Sequence, residues 1–376
     1  MAKKKLLFVL NSGRYFISHR LSLALCAMRN GFEIHVACPR TDMAEQIEKT
    51  GIIYHEIPLS RKGINPSQEI ATIMALKKLY RQLNPTVIHH LTAKPVIYGN
   101  LAARRCSLPL IVNAIPGLGS VFTDNHLKMK LLRKILKTGY RLMLKKKNSV
   151  TIFQNSDDMN FFINHQLIRP ESAALIKSSG ICLESYPLLP EPISEQFVVI
   201  LPARMLWHKG IKYFVEAARQ LKDRANHIKM VLVGGEDSGN PSAISNSQLE
   251  AWKKEGIVEW WGFQKDMLAV FSQANLVCLP SYYREGFPKV LLEAAACGRA
   301  IITTDVPGCR DAVIHDKTGL IIPPHSSTAL VEAVIKLSQD QEKCRQMGQL
   351  GRQNVAGNYS IEEINRQTLL LYNLSL

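Results

Sequence analysis

Short apolar runs rich in β-branched residues alternate with amphipathic segments along the chain, and this alternation constrains the fold more than any other feature. In the first half, the pattern predicts strands over residues 6–10, 33–37 and 86–89, with helices over 19–29 and 70–83. Strands that alternate with helices in this way form parallel sheets with helices packed on their faces. We therefore predict an α/β fold with a doubly wound sheet.

The same pattern begins again after a proline-rich stretch at residues 187–192. Further strands are predicted over 198–201, 230–233, 276–279 and 300–303. We place the domain boundary in the proline-rich stretch, which gives an N-terminal domain over 1–188 and a C-terminal domain over 193–358. Two doubly wound domains in tandem are expected to face a cleft, because open α/β sheets bind ligands at the carboxyl ends of their strands.

Composition excludes several classes of protein. Apolar residues make up 46% and charged residues 21% of the 376 residues, without low-complexity runs, as in globular proteins. The apolar run after the three N-terminal lysines is too short for a signal peptide and predicts a buried strand. No run approaches the roughly 18 apolar residues of a membrane-spanning helix. The eight cysteines form no C-x-x-C pair, so we expect reduced thiols in a cytoplasmic protein.

The formal net charge of +16 arises entirely from the first half of the chain. Residues 1–190 carry 27 Lys/Arg and 11 Asp/Glu, whereas residues 191–376 carry 20 of each. Such an excess predicts an anionic partner, and nucleic acid, a membrane surface and a phosphorylated substrate are all candidates.

The strongest local motif is E-G-F-P-K-V-L-L-E-A-A-A-C-G at residues 285–298, which follows a predicted strand and opens into a helix. Gly286 and the amides of the first helical turn are suited to approach a phosphate or sugar hydroxyls, and the helix dipole favours an anion there. Glu285 and Glu293 are spaced so that both can face one ligand. A carboxylate at Glu293 is costly in an otherwise apolar helix, which favours a binding role over a solvated surface role.

This motif resembles the E-x7-E signature of the family-4 retaining glycosyltransferases, whose GT-B fold consists of two Rossmann-like domains. The resemblance implies that Glu285 contacts hydroxyls of the transferred sugar and that Glu293 hydrogen-bonds the ribose of the nucleotide. It also implies donor contacts for the rest of the motif and for two neighbouring turns. The residues concerned are Gly286, Phe287, Pro288, Lys289, Val290, Gly234, Gly262 and Phe263.

A second match, A-R-M-L-W-H-K-G at residues 203–210, resembles the G-R-L-x-x-x-K-G motif of the same family. Arg204 and Lys209 then correspond to its pyrophosphate-binding pair, two cations that neutralise the diphosphate leaving group. No D-x-D motif is present, so we expect neither a metal nor another cofactor. Gly13 is the single glycine where many relatives carry two, and it alone must allow the backbone to approach the donor phosphate.

The I-P-G-L-G loop at residues 115–119 resembles a narrower branch that acts on polyprenyl-diphosphate-linked sugars in bacterial glycan assembly. The branch commonly transfers N-acetylgalactosamine or a related hexose from a UDP-sugar, with retention of configuration implied by the family. The resemblance also implies that a C-terminal helix over 359–376 crosses back to the N-terminal domain. Candidate acceptor-side residues are His19, Arg20, His90, Lys94 and Gly117.

Residues 126–147 contain nine Lys/Arg and no acid, with apolar residues at helical spacing, which predicts a basic amphipathic helix. One interpretation is an ordinary helix with a solvated basic face. The other is peripheral docking on anionic lipid at the inner face of the cytoplasmic membrane, with Lys130, Arg133, Lys134 and Lys137 facing the lipid.

Two rival functions remain open from the sequence. One is a sugar-nucleotide epimerase or phosphorylase of the same fold. The other is a nucleic-acid-binding protein that uses the basic half. The basic helix has no aromatic residue beyond Tyr140, and the sequence contains no recognised nucleic-acid-binding motif. Nucleic acid is therefore not the expected partner.

Overall fold

The computed structural model describes residues 3–60, 65–105, 110–123, 126–237 and 239–373. The chain divides into two compact units: unit 1 comprises Met1–Gly180 and Ile361–Leu376, and unit 2 comprises Ile181–Ser360. Each unit contains one parallel sheet with helices on both of its faces. This arrangement confirms the predicted class of two doubly wound α/β domains.

Unit 1 has a seven-stranded parallel sheet in the order β3-β2-β1-β4-β5-β6-β7. Its strands are β1 (Lys4–Val9), β2 (Phe32–Cys38), β3 (Ile53–Glu56), β4 (Val87–Leu91), β5 (Leu110–Ile115), β6 (Ser149–Phe153) and β7 (Ala173–Leu175). The central strand β1 is buried on both faces, with Leu6 and Phe8 on one side and Leu7 and Val9 on the other. This is why its sequence is a continuous apolar run.

The helices of unit 1 form two layers. They are α1 (Gly13–His19), α2 (Leu21–Arg29), α3 (Ala44–Glu48), α4 (Pro66–Leu83), α5 (Ala93–Ala102), α6 (Ser120–Thr123), α7 (Leu127–Met143) and α8 (Ser156–Asn164). Residues of α2 pack on the Leu6 face of the sheet, and residues of α4, α5 and α7 pack on the Leu7 face. The helix predicted over 19–29 is interrupted, because Arg20 has a non-helical φ of −133° and separates α1 from α2.

Unit 2 has a six-stranded parallel sheet in the order β10-β9-β8-β11-β12-β13. Its strands are β8 (Phe197–Pro202), β9 (Ile228–Val233), β10 (Glu259–Trp260), β11 (Leu276–Leu279), β12 (Ala300–Thr304) and β13 (Gly319–Ile322). Its helices are α9 (Ile211–Lys222), α10 (Asn246–Lys254), α11 (Met267–Ser272), α12 (Lys289–Ala296), α13 (Ser327–Gln339) and α14 (Gln341–Asn358). The four strands predicted for this half are present: β11 has the predicted bounds, and the other three are longer by one or two residues.

The proline-rich stretch belongs to unit 2. Arg299 is only 1% exposed and donates from its guanidinium to the Pro190 carbonyl over 2.6 Å. Arg352 donates to the Tyr186 carbonyl over 2.8 Å. Arg299 and Arg352 thus fix residues 186–190 on unit 2. The units divide at Gly180, so the predicted limits of 188 and 193 fall inside unit 2.

The last helix, α15 (Ile361–Asn373), packs within unit 1. Asn365 donates to Ser22 Oγ of α2 over 2.9 Å, and the hydroxyl of the fully buried Tyr372 lies 2.6 Å from His89 Nδ1. Within the part of the chain that the structure describes, no helix combines the length and apolar character needed to span a bilayer.

The neighbouring His90 is enclosed in the core of unit 1. Its Nε2 lies 2.8 Å from the Tyr80 hydroxyl and its Nδ1 lies 3.1 Å from the Asn113 amide oxygen. It is 0% exposed, so the acceptor-side role predicted from the sequence is wrong for this residue, and His90 is a structural histidine instead. Burial lowers the pKa of His90 to about 4.

This pKa predicts acid-sensitive stability. The unfolded chain takes up a proton near pH 6.5 and folded His90 does so only near pH 4, so stability falls as pH decreases through this window. His90 should contribute a slope of about 1.4 kcal/mol per pH unit, which His90→Gln removes. The free energy of unfolding is measured from urea transitions at several values between pH 7 and pH 4, roughly the window of the shift, and its slope against pH is compared between variants. Unfolding is monitored by hydrogen exchange of peptides from β4. The exposed His227→Gln serves as control, and an unchanged slope in His90→Gln would contradict the prediction.

Candidate functional site

Polar side chains converge at the carboxyl edge of the unit 2 sheet. Strands β9, β8 and β11 are adjacent, and the loops that follow them carry Asp237, Arg204 and Glu285. Because carboxyl ends of parallel strands meet at one edge, residues far apart in the sequence are brought together here. Two ion pairs result, and both join residues of different loops.

The first pair joins Lys209 and Glu285, with 2.5 Å between Nζ and Oε1. Their side chains are only 14% and 12% exposed, so the pair is largely withdrawn from water. Ser281 Oγ lies 3.1 Å from the same carboxylate oxygen and 3.1 Å from the His208 carbonyl. Removing either partner of a buried pair leaves an uncompensated charge, so the two residues depend on each other.

Two glycines allow the loops around this pair to approach. Gly210 has a φ of +82°, and a Cβ there would lie 1.9 Å from the Pro280 carbonyl oxygen. Gly308 also has a φ of +82°, and a Cβ there would lie 2.4 Å from the Gly286 carbonyl oxygen. Both positions therefore require glycine for conformation and for space.

The second pair joins Arg204 and Asp237, with 2.6 Å between the guanidinium and the carboxylate. Asn240 donates to the same Asp237 oxygen over 3.0 Å. Arg204 is 52% exposed, so its remaining donors can reach a ligand from solvent. Gly234, whose Cβ would lie 1.8 Å from the Ala203 carbonyl oxygen, holds the β9 loop against the β8 loop.

Glu293 lies in the second turn of α12, and its side chain is 12% exposed. Two residues act on it: Tyr186 forms a side-chain hydrogen bond with the carboxylate, and Lys289 Nζ lies 3.7 Å from Oε1. Burial, and then the Glu293 carboxylate, raise the pKa of Tyr186, so its hydroxyl remains a donor. Nothing in the sequence around Tyr186 indicated this contact.

His208 lies between the two cations in sequence and is half-buried. Its ring stacks on Tyr283 with centroids 4.4 Å apart, and its Nδ1 lies 2.9 Å from Ser242 Oγ. Burial, and next the charge of Lys209, lower the pKa of His208 to about 4. The imidazole is therefore neutral near pH 7 and adds no charge to the site.

The remaining residues of the predicted donor set differ in exposure. Phe287 is 8% exposed and its ring packs on Tyr359 with ring centroids 5.1 Å apart, so its side chain belongs to the core of unit 2. Pro288 precedes α12 as its N-cap, and Val290 packs against the core of unit 2. Phe263 follows Gly262 and is 77% exposed.

Among the residues predicted for unit 1, Gly13, Lys94 and Gly117 follow the adjacent strands β1, β4 and β5. Gly13 begins α1, where a Cβ would lie 2.7 Å from Thr41, so close packing already requires glycine. His19 stacks on Tyr15 with centroids 4.4 Å apart, whereas Arg20 is 6% exposed.

Lys94 and Gly117 follow different strands of unit 1. Lys94 Nζ lies 2.6 Å from Glu69 Oε1 and 3.0 Å from the Ser60 carbonyl, with the Glu69 side chain 9% exposed. Gly117 lies half-buried in the segment after β5.

The predicted basic helix is α7, and the four cations predicted to face the lipid lie on one face by their spacing but differ in exposure and contacts. Lys130 and Lys134 are exposed. Arg133 instead donates to the Val121 carbonyl over 2.9 Å, and Lys137 Nζ lies 4.8 Å above the Phe161 ring. Arg133 and Lys137 are therefore partly buried by contacts within unit 1, whereas Lys130 and Lys134 are exposed.

Sequence comparison gives the family. Residues 5–155 match the glycosyl transferase 4-like family, and residues 190–354 match the glycosyl transferases group 1 family. The chain is also 30% identical over 347 residues to the N,N'-diacetylbacillosaminyl-diphospho-undecaprenol alpha-1,3-N-acetylgalactosaminyltransferase of Campylobacter jejuni, with 89% of each chain covered. The chain is a glycosyltransferase of this family. The resemblance inferred from the two motifs is thereby confirmed.

Two further glycosyltransferases are similar to this chain at lower sequence identity. The UDP-Gal:alpha-D-GlcNAc-diphosphoundecaprenol alpha-1,3-galactosyltransferase of Escherichia coli is 22% identical, with 82% of this chain and 81% of the relative covered. The crystal structure of Anabaena HepE in complex with UDP matches with a TM-score of 0.79 at 18% identity, covering 99% of this chain and 100% of the other. At this identity the match establishes the fold, and the fold is that of the GT-B glycosyltransferases.

The glycine packing predicts that Gly210→Ala will strongly destabilise unit 2. The substitution requires a positive φ from alanine and places its Cβ against the Pro280 carbonyl. Gly256→Ala is the matched control, because its φ is +64° but the nearest atom, Lys222 Nζ, lies 3.8 Å from the Cβ. We expect a loss of about 1–2 kcal/mol for the control and clearly more for Gly210→Ala. Equal losses in the unit 2 transition would show that the close approach is not required.

Proposed function

We propose that this glycosyltransferase moves a hexose or N-acetylhexosamine, with N-acetylgalactosamine as the favoured sugar, from a UDP-sugar to a polyprenyl-diphosphate-linked saccharide. Retention of configuration and a role in bacterial surface-glycan or glycoprotein-glycan assembly are part of the proposal. The observation that carries it is the contact between Lys209 and Glu285. A cation suited to the leaving diphosphate and a carboxylate suited to sugar hydroxyls are adjacent, as cleavage of a sugar–phosphate bond requires.

Two cations would stabilise the leaving group. Arg204 and Lys209 each carry a carboxylate partner, Asp237 and Glu285, so neither positive charge is isolated before the donor binds. Diphosphate oxygens of the bound nucleotide-sugar would accept hydrogen bonds from the N–H groups of both cations that their carboxylate partners leave unused. His208 stays neutral and adds no charge. Stabilising the developing negative charge of UDP in this way lowers the barrier without a metal.

Two glutamates would orient the donor. Glu285 is fixed by Lys209 and Ser281 and would accept hydrogen bonds from hydroxyls of the transferred sugar. Glu293 is fixed by Tyr186 and would accept hydrogen bonds from the ribose hydroxyls. Charge-assisted hydrogen bonds of this kind hold a ligand in one orientation. Gly286, Lys289 and the exposed Phe263 complete the proposed donor contacts.

The identity of the donor and acceptor is supported by the relatives. The Campylobacter jejuni enzyme is named for transfer of N-acetylgalactosamine to a diphospho-undecaprenol sugar, and the Escherichia coli enzyme for a UDP-galactose donor and a diphosphoundecaprenol acceptor. The basic excess of the first half suits such an acceptor, since it carries a diphosphate and is held in a membrane.

A transfer assay tests the proposed reaction. We expect UDP release from UDP-N-acetylgalactosamine or a related UDP-sugar only when a polyprenyl-diphosphate-linked saccharide is present. Glu293→Ala should weaken UDP binding by about 1.5–3 kcal/mol, because it removes a charged hydrogen-bond partner. Release that ignores the acceptor, or products isomerised without transfer, would favour the epimerase or phosphorylase alternative. Unchanged UDP affinity in a folded Glu293→Ala protein would refute the ribose assignment.

The second part of the proposal is peripheral attachment to the inner face of the cytoplasmic membrane through α7. This helix has two apolar faces: Leu136 and Tyr140 pack on the core of unit 1, whereas Leu127, Leu131 and Ile135 are 83%, 62% and 59% exposed. Leu142, at 60%, extends the exposed face. An ordinary surface helix has one apolar face, turned inward, so the second requires an apolar partner.

Reversing exposed charges on α7 tests membrane attachment. Lys130→Glu with Lys134→Glu should nearly abolish binding to vesicles rich in anionic lipid, because each reversal replaces an attraction of about 1 kcal/mol by a similar repulsion. Binding is measured by sedimentation at low and high salt, since screening weakens it. The matched control is Lys253→Glu with Lys254→Glu on α10 of unit 2, which should bind as the wild type does. Equal binding by both double variants would exclude this role for α7.

A further inference from the structure

A second apolar surface lies on the same helical layer as α7. On α4, Ile70 is 61% exposed and Met74 is 59% exposed. Beside them, a groove of about 220 Å³ runs between α4 and the end of α5. It is lined by Ile73, Met74, Lys77, Leu101, Ala102 and Arg104.

The groove combines apolar walls with two cations. Ile73, Met74, Leu101 and Ala102 supply the walls, Lys77 and Arg104 supply the charges, and the described lining contains no carboxylate. Its volume is below the roughly 300–1,000 Å³ of pockets that enclose a nucleotide-sized ligand. A narrow apolar groove with positive charge suits a hydrocarbon chain that carries an anionic head group.

The charge of the whole layer supports an anionic occupant. Helices α4, α5 and α7 carry ten Lys/Arg and a single acid, Glu69. That acid is buried in its pair with Lys94, so it does not offset the exposed cations. Helix α5 packs against both α4 and α7, and Ile97 of α5 contacts Gly139 of α7, so the three helices lie side by side.

We propose that the groove between α4 and α5 holds one hydrocarbon chain of an anionic membrane lipid, whose head group is bound by Lys77 and Arg104. This proposal rests on the proposed attachment of unit 1 to the membrane and adds a specific lipid site to it. The groove is formed by the middle of α4 and the end of α5, and Lys94 stands at the start of α5. The site is therefore separate from the residues considered for the acceptor.

Chain insertion can be detected directly. The four tryptophans of the protein, Trp207, Trp252, Trp260 and Trp261, all belong to unit 2. Met74→Trp adds one at the groove, and we expect vesicles of phosphatidylglycerol with brominated acyl chains to quench its added emission. Leu370→Trp is the matched control, because Leu370 is 54% exposed on α15, which packs with α2 in the opposite helical layer. Its emission should not be quenched beyond that of the wild type.

Charge variants test the head-group contact. Lys77→Glu should weaken binding to phosphatidylglycerol vesicles by roughly 10- to 30-fold, since one attraction becomes a repulsion, and Leu370→Glu should leave binding unchanged. UDP affinity should be the same in both variants, so failure of the lipid site is distinguishable from failure of the proposed donor site. Absence of quenching in Met74→Trp, or wild-type vesicle binding by Lys77→Glu, would overturn the proposal. If Lys77→Glu retains vesicle binding but loses a dimer, the groove binds a second copy of the chain. If it retains vesicle binding but loses RNA binding, the groove binds nucleic acid. Either result would also overturn the proposal.

Discussion

Lys209 and Glu285 form an ion pair that is largely withdrawn from water, and the arrangement of the unit 2 loops depends on it. A buried charge without its partner is strongly unfavourable, so neither the β8 loop nor the β11 loop can move independently of the other. The pair forms because Gly210 and Gly308 let backbone segments approach to distances that no other residue permits. A cation and a carboxylate are thus held at one position before any ligand binds, which would reduce the reorganisation that the proposed transfer requires.

The proline-rich stretch has a structural role that differs from that of a linker. The buried Arg299 binds the Pro190 carbonyl of this stretch, and Arg352 binds the carbonyl of Tyr186 just before it. These contacts fix Tyr186 where its hydroxyl reaches Glu293. A carboxylate that accepts such a hydrogen bond keeps one orientation, and orientation is what a ribose-binding group must supply. The segment at residues 186–190, near the start of unit 2, therefore also supports the proposed nucleotide contact.

Unit 1 presents a different physical problem, since apolar side chains are exposed on α4 and α7 while cations surround them. Exposed apolar surface is unfavourable in water, and like charges along one layer repel each other. The proposed attachment to an anionic bilayer would remove both costs, because the bilayer would cover the apolar residues and neutralise the cations. The same chemistry suits an enzyme whose acceptor is held in the membrane.

The sequence by itself determined the fold class, because apolar periodicity sets the strand and helix order, and the order sets the doubly wound sheets. It also determined the family. Arg204 and Lys209 lie in one contiguous motif and Glu285 and Glu293 in another, so their spacing can be recognised in the sequence without the fold. Only the tertiary structure decided which charges are paired, since Asp237, Ser281 and Tyr186 come from separate segments with no shared pattern. It likewise decided that the side chains of His90 and Phe287 are buried and that Arg133 and Lys137 are partly covered by contacts with Val121 and Phe161. Burial depends on what packs against a residue, and those neighbours are distant in the chain.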